Sequence, residues 1–121
     1  AHAVAAHRLL REATTGRYDG VFVARVDADE ESATALPTVA RLLRDFRSPE
    51  PVALVVTGDE SPIDERRAAA ASVEGREIGT AMAEAAASFD GTGYGTDTRG
   101  EARFDGDTTE FITATREALT R

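Results

Sequence analysis

Val52-Ala-Leu-Val-Val-Thr57 is the stretch on which the reading of this chain turns. It is apolar without alternation and rich in β-branched residues, the pattern of a strand covered on both faces. Gly20 to Asp27, containing Val-Phe-Val-Ala-Arg-Val, has the same character up to Arg25. A helix fits between them, with Thr34 as N-cap, Pro37 in its first turn, and Val39, Leu42, Leu43 and Phe46 as the buried stripe. Ser48-Pro49-Glu50-Pro51 breaks that helix. Strand, helix and strand in this order predict a crossover unit with parallel strands.

Outward from this unit, His2 to Thr14 reads as a helix with Gly16 as its stop. Gly58 to Glu65 is polar and contains Pro62, so it reads as a loop or hairpin. Arg66 to Val73 suits a helix by alanine propensity or a small-residue strand by its bounds, and strand is preferred. Gly75 to Phe89 reads as a helix, with Ile78, Met82, Ala85 and Phe89 at helical spacing. Arg99 to Asp105 reads as a strand with Ala102 and Phe104 on one side and Arg99, Glu101 and Arg103 on the other. Asp107 stands three residues before Glu110, a capping pair for a final helix whose core side is Phe111, Ile112, Thr115, Ala118 and Leu119. The expected architecture is a single α/β domain over residues 1–121, a small mixed or parallel sheet of about four strands flanked by about four helices.

At 121 residues the chain has the size of one domain, with no linker, repeat or low-complexity tract. All 14 basic residues are arginine, against 22 acidic ones, for a net charge of −8. That balance opposes strong non-specific nucleic-acid binding, although a local arginine cluster escapes the argument. The acidic, arginine-only composition would suit a salt-rich cytosol, and a cytoplasmic, halophilic protein is expected. Cysteine is absent, which excludes disulfides and thiolate metal sites. The apolar runs are too short for a membrane-spanning helix, and no secretory signal pattern opens the chain. The start at Ala1 rather than Met suggests a processed product or a piece cut from a longer chain.

The candidate site is Asp90 to Phe104, Asp-Gly-Thr-Gly-Tyr-Gly-Thr-Asp-Thr-Arg-Gly-Glu-Ala-Arg-Phe, whose first half reads as a loop. Gly91, Gly93 and Gly95 allow backbone N–H groups to approach a ligand, and Arg99 and Arg103 supply forked donors. A phosphate-binding loop and an ordinary glycine-rich turn both fit these residues. Tyr94 would stack on a base or cover the edge of the core.

With these elements placed, the chain resembles the DHH-associated C-terminal domain of RecJ-like exonucleases, nanoRNases and related phosphoesterases. Val52 to Asp59 matches that family's second strand and turn, and Glu77-Ile78-Gly79-Thr80-Ala81 its helix opening. Phe89-Asp90-Gly91-Thr92-Gly93-Tyr94 falls on its Phe-Gly-Gly-Gly-Gly-His motif, Gly100 to Phe104 on the run that follows, and Phe111 to Leu119 on the terminal helix. Tyr94 replaces the histidine, Asp90 and Thr92 replace two glycines, and Ala70-Ala71-Ser72-Val73 stands in the Ser-x-Arg-Ser position without its arginine. Arg66, Arg67 or Arg76 is a candidate substitute. The resemblance implies an accessory domain that binds single-stranded nucleic acid or a nucleotide and partners a DHH catalytic domain. Manganese or magnesium would belong to that separate domain; no cofactor and no catalytic residue is expected in this chain. The alternative is a structural or oligomerisation domain, with a homodimer through an exposed sheet edge, that has lost ligand binding.

Asp27, Asp29, Glu30 and Glu31 after the first strand and Asp59 and Glu60 after the second would share one rim of a parallel sheet. Their spacing singles out no metal, so a solvated acidic loop is the preferred reading. His2 and His7 are expected at the surface, and no serine has the context of a nucleophile.

Overall fold

The computed structural model describes residues 2–18 and 20–120, with side chains from residue 4 onward, so the expectation for the side chain of His2 lies outside the described residues. The elements in chain order are α1 (His2–Glu12), β1 (Thr14–Tyr18), β2 (Val21–Val26), a 3₁₀ turn (Ser32–Ala35), α2 (Leu36–Phe46) and β3 (Val52–Thr57). These are followed by β4 (Arg66–Ser72), α3 (Ile78–Ala87), β5 (Thr92–Gly95), β6 (Arg99–Phe104) and α4 (Thr108–Leu119). The strands form one mixed sheet in the order β1-β2-β3-β4-β6-β5. β2 and β3 are parallel, as the strand–helix–strand pattern requires, and the other four pairings are antiparallel.

Helices cover both faces. Ala24, Val26, Ala53, Val55, Ala69 and Ala71 point to the layer of α1 and α2, where Leu9, Leu36, Val39 and Leu43 are buried. Val21, Val23, Val52, Leu54, Val56, Ala68, Ala70, Ala102 and Phe104 point to the layer of α3 and α4. There Phe104 stacks on Phe111 at 3.9 Å between ring centroids, and Phe89 meets both edge-on or tilted. This accounts for the absence of alternation in β3, all six residues of which are buried. The alanines of β4 divide between the two cores, so Arg66 to Ser72 is a strand despite its helix propensity.

The sheet has six strands rather than about four. β1 lies partly where the sequence predicts the end of the first helix, because Thr-Thr-Gly-Arg-Tyr carries no apolar alternation. As an edge strand paired only with β2, it needs none. β5 lies where the sequence predicts a loop, because glycine is depleted from strands. Its pairing with β6 and the helix resting on it supply what propensity lacks.

Two smaller expectations also fail. Thr34 is not the N-cap of α2: the 3₁₀ turn runs directly into the helix, Ala35 occupies the cap without a side-chain bond, and the Leu36 N–H donates to the Ala33 carbonyl. Pro37 does fall in the first turn. Phe46 is 77% exposed. The Arg44 guanidinium reaches the carbonyl of Ser72, the last residue of β4, so the turn of α2 that carries Phe46 runs past the end of the layer beneath it.

Candidate phosphate-binding face

The candidate residues sit on a β-hairpin. Thr92, Gly93, Tyr94 and Gly95 of β5 oppose Arg103, Ala102, Glu101 and Gly100 of β6. Thr96, Asp97 and Thr98 join the strands, and the Thr96 N–H donates to the Arg99 carbonyl. The same segment anchors α3: the Asp97 carbonyl accepts from Arg76 and Ile78, and the Thr96 carbonyl from Gly79.

The glycines serve this packing. A Cβ on Gly93 would lie 2.5 Å from the Met82 backbone, and one on Gly79 2.5 Å from the Gly95 backbone. One on Gly91 would meet the Arg103 carbonyl, and Gly95 has φ of +152°. Helix α3 therefore lies directly against the backbone of β5. The Gly91 N–H is committed to the Ala86 carbonyl. In an antiparallel ladder, donors alternate between facing the partner strand and facing away. With Thr96 bonded to Arg99, the Tyr94 N–H faces β6 and those of Gly93 and Gly95 face the open edge.

The opposite face of the hairpin carries the side chains. Arg99, Glu101 and Arg103 alternate with the buried Gly100, Ala102 and Phe104, as their spacing predicts. Cross-strand register then builds rows: Arg67, Arg103 and Thr92; Ala69, Glu101 and Tyr94; Ala71 and Arg99. Tyr94 is 62% exposed, Arg99 and Arg103 are exposed, and Arg67 is mostly covered. A cleft of about 210 Å³ opens where this face meets the 3₁₀ turn, lined by Tyr94, Glu101, Arg103, Arg67, Thr34 and Leu36. The neighbouring Glu101 carboxylate, by its charge first, then burial and a hydrogen bond from the phenol, raises the Tyr94 pKa above its ordinary value. Arg67 is held 3.3 Å from Glu30.

In the sequence Arg67 stands out only as one of three substitutes for a missing arginine, and Glu101 only as an outward strand residue. The signal that joins them to Tyr94 is strand register, which no local pattern carries. Arg99 and Arg103 are four residues apart, about 13.5 Å along a strand. Their side chains suit successive groups of an extended ligand better than one small ion.

The acidic residues do gather at the common end of β2 and β3, whose last pair is Val26 with Thr57. Several are held by protein donors. Asp29 accepts from the Ser32 N–H at 2.8 Å and hydroxyl at 2.9 Å, and these bonds hold its pKa below the usual carboxylate value. Asp59 accepts from the Thr108 N–H at 3.0 Å and has the Thr108 hydroxyl at 2.9 Å and Arg66 at 3.6 Å. Its pKa is lowered, by the Thr108 N–H first, against the opposing effect of burial. Among the described residues no group of three or more His, Asp or Glu side chains is arranged to hold a metal. His7 is exposed. No helix among the described residues is long and apolar enough to cross a membrane.

A mixed six-stranded sheet with two helices on each face and an aromatic–arginine hairpin at one edge defines the class: a small α/β module of the kind found within larger proteins. The C-Ala domain from Aquifex aeolicus alanyl-tRNA synthetase has this fold, with a TM-score of 0.67 at 13% identity, over 89% of this chain and 99% of that one. So does an exopolyphosphatase-related protein from Bacteroides fragilis, with a TM-score of 0.62 at 12% identity, over 98% of this chain and 34% of that one. A third is a DHH-domain structure from a protein described as a member of a family of ribosomal proteins, with a TM-score of 0.57 at 12% identity, over 99% of this chain and 30% of that one. The resemblance to DHH-associated domains holds at the level of the fold. The chain itself belongs to the family described as "Uncharacterized protein rrnAC1427, C-terminal domain", whose profile matches residues 13–117. The Haloarcula marismortui protein of that description is 50% identical over 118 residues, which are 98% of this chain and 29% of that protein. The chain thus spans less than a third of the length of that relative.

Proposed function

We propose that this chain is an accessory domain that binds single-stranded nucleic acid through the β5–β6 hairpin, within or beside a larger DHH-type phosphoesterase. Arg99 and Arg103 contact phosphates, the outward N–H groups of Gly93 and Gly95 add donors at the sheet edge, Tyr94 stacks on a base, and Gly91 shapes the hairpin. Hydrolysis, with its manganese or magnesium, belongs to a separate catalytic domain. The observation that carries this reading is the convergence of Tyr94, Arg99, Arg103 and Arg67 on one sheet face in a protein of net charge −8. The kinship in fold with parts of a tRNA synthetase and of an exopolyphosphatase-related protein supports it.

The test is fluorescence anisotropy of a labelled short oligonucleotide across a salt series. For single strands, log affinity falls with log salt by about 0.7 per phosphate neutralised. Two or three contacts give a slope of about −1.4 to −2, and Arg103→Ala reduces its magnitude by about 0.7. An unchanged slope and affinity in that variant counts against the assignment.

A second reading, a structural domain that has lost ligand binding, is favoured by one observation. Close packing of α3 accounts for the glycines without any ligand. It predicts no oligonucleotide binding at low salt.

A further inference from the structure

Glu101 is out of place on a surface that receives phosphates. It is half-buried, directly opposite Tyr94 in register, and one row from both Arg103 and Arg67. A carboxylate repels phosphate and can only accept hydrogen bonds. Its natural counterpart on a nucleic acid is therefore a donor on a base. Tyr94 offers an exposed ring beside it on which that base would lie. The cleft between them and the 3₁₀ turn, about 210 Å³, has room for one planar base.

We propose that Glu101 is a specificity-determining residue that reads the Watson–Crick edge of a guanine stacked on Tyr94. The inference rests on the nucleic-acid reading above. Guanine presents two adjacent donors, N1–H and the N2 amino group, which match the two oxygens of a carboxylate. Thymine and uracil present one N–H between two carbonyl oxygens, which a carboxylate repels. Sequence-specific recognition of single strands commonly takes this form, an unstacked base held on an aromatic ring and read along its edge. Tyr94 engages one acceptor position of the carboxylate and leaves others open. Arg103, one row away and exposed, holds a flanking phosphate, while Arg67 stays paired with Glu30.

The experiment compares a short oligothymidine with the same oligomer carrying one central guanine, by anisotropy at fixed low salt. The native chain is expected to bind the guanine oligomer about tenfold more tightly, within the range of a good bidentate base contact. Glu101→Gln is expected to erase that ratio while strengthening binding to plain oligothymidine, because a repulsive charge has gone. Arg103→Ala is expected to weaken both oligomers alike and keep the ratio. The rise with oligothymidine guards against misfolding, since a damaged face would lose affinity for both. Equal binding of the two oligomers by the native chain, with Glu101→Gln raising both alike, overturns the guanine assignment and leaves the phosphate reading standing. Absence of binding to either oligomer overturns both.

Discussion

Gly93→Ala separates the two accounts of the glycine-rich hairpin. A Cβ at this position would sit 2.5 Å from the carbonyl carbon and oxygen of Met82 and 2.6 Å from the Ala83 nitrogen. These are backbone atoms in the middle of α3, so no side chain can swing away. Either the helix lifts from β5 or the strand withdraws, and each loosens the Ile78, Met82 and Ala85 side of the core. Overpacking of this kind costs about 1–3 kcal/mol. At about 4 °C per kcal/mol for a domain of this size, the melting temperature falls by about 4–12 °C. Thermal unfolding followed by circular dichroism measures it. Gly16→Ala is the control: its Cβ would meet only the Tyr18 ring, at an ordinary 3.6 Å, and no loss is expected. A Gly93→Ala protein that melts with the native one but no longer binds oligonucleotide would refute the packing argument and return the glycine to ligand binding.

Three further outcomes are expected. Asp107 caps α4 by accepting from the Glu110 N–H at 2.9 Å, and Asp107→Ala should cost about 1 kcal/mol in urea unfolding. Phe104 is fully buried and stacked on Phe111, so Phe104→Ala should cost about 3–5 kcal/mol, a large share of the stability of a single domain, read as a lowered urea midpoint. Asp59 has a folded pKa below its unfolded one, so its bonds to Thr108 stabilise the protein above the ordinary carboxylate pKa. That contribution is lost as pH falls through the depressed folded value. Asp59→Asn should therefore be less stable than the native chain near neutrality, and urea midpoints should converge in acid; a gap that persists there would contradict the assignment.

Legibility in the sequence followed burial. β2 and β3 declare themselves because both faces are covered, and α4 because Asp107 caps it and Phe111, Ile112 and Thr115 repeat at helical spacing. β1 and β5 hide because edge strands draw their stability from one neighbour and need no apolar pattern of their own. Phe46 misleads because periodicity reports which side of a helix it occupies, not where the sheet beneath ends. In the candidate site, Tyr94, Arg99 and Arg103 were legible as a local cluster. Arg67 and Glu30 were not legible as their neighbours, since they reach it through pairings of strands and turns distant in the chain.

The backbone contact between α3 and β5 has a bearing on how this surface can change over generations. One side of the hairpin is tied to the helix and admits almost no variation, while Thr92, Tyr94, Glu101 and Arg103 project away from that constraint. New preferences for a ligand can therefore arise by exchanging outward side chains on a platform whose shape stays the same. Relatives with the glycines intact and the outward residues replaced would be expected to keep the architecture and choose different targets.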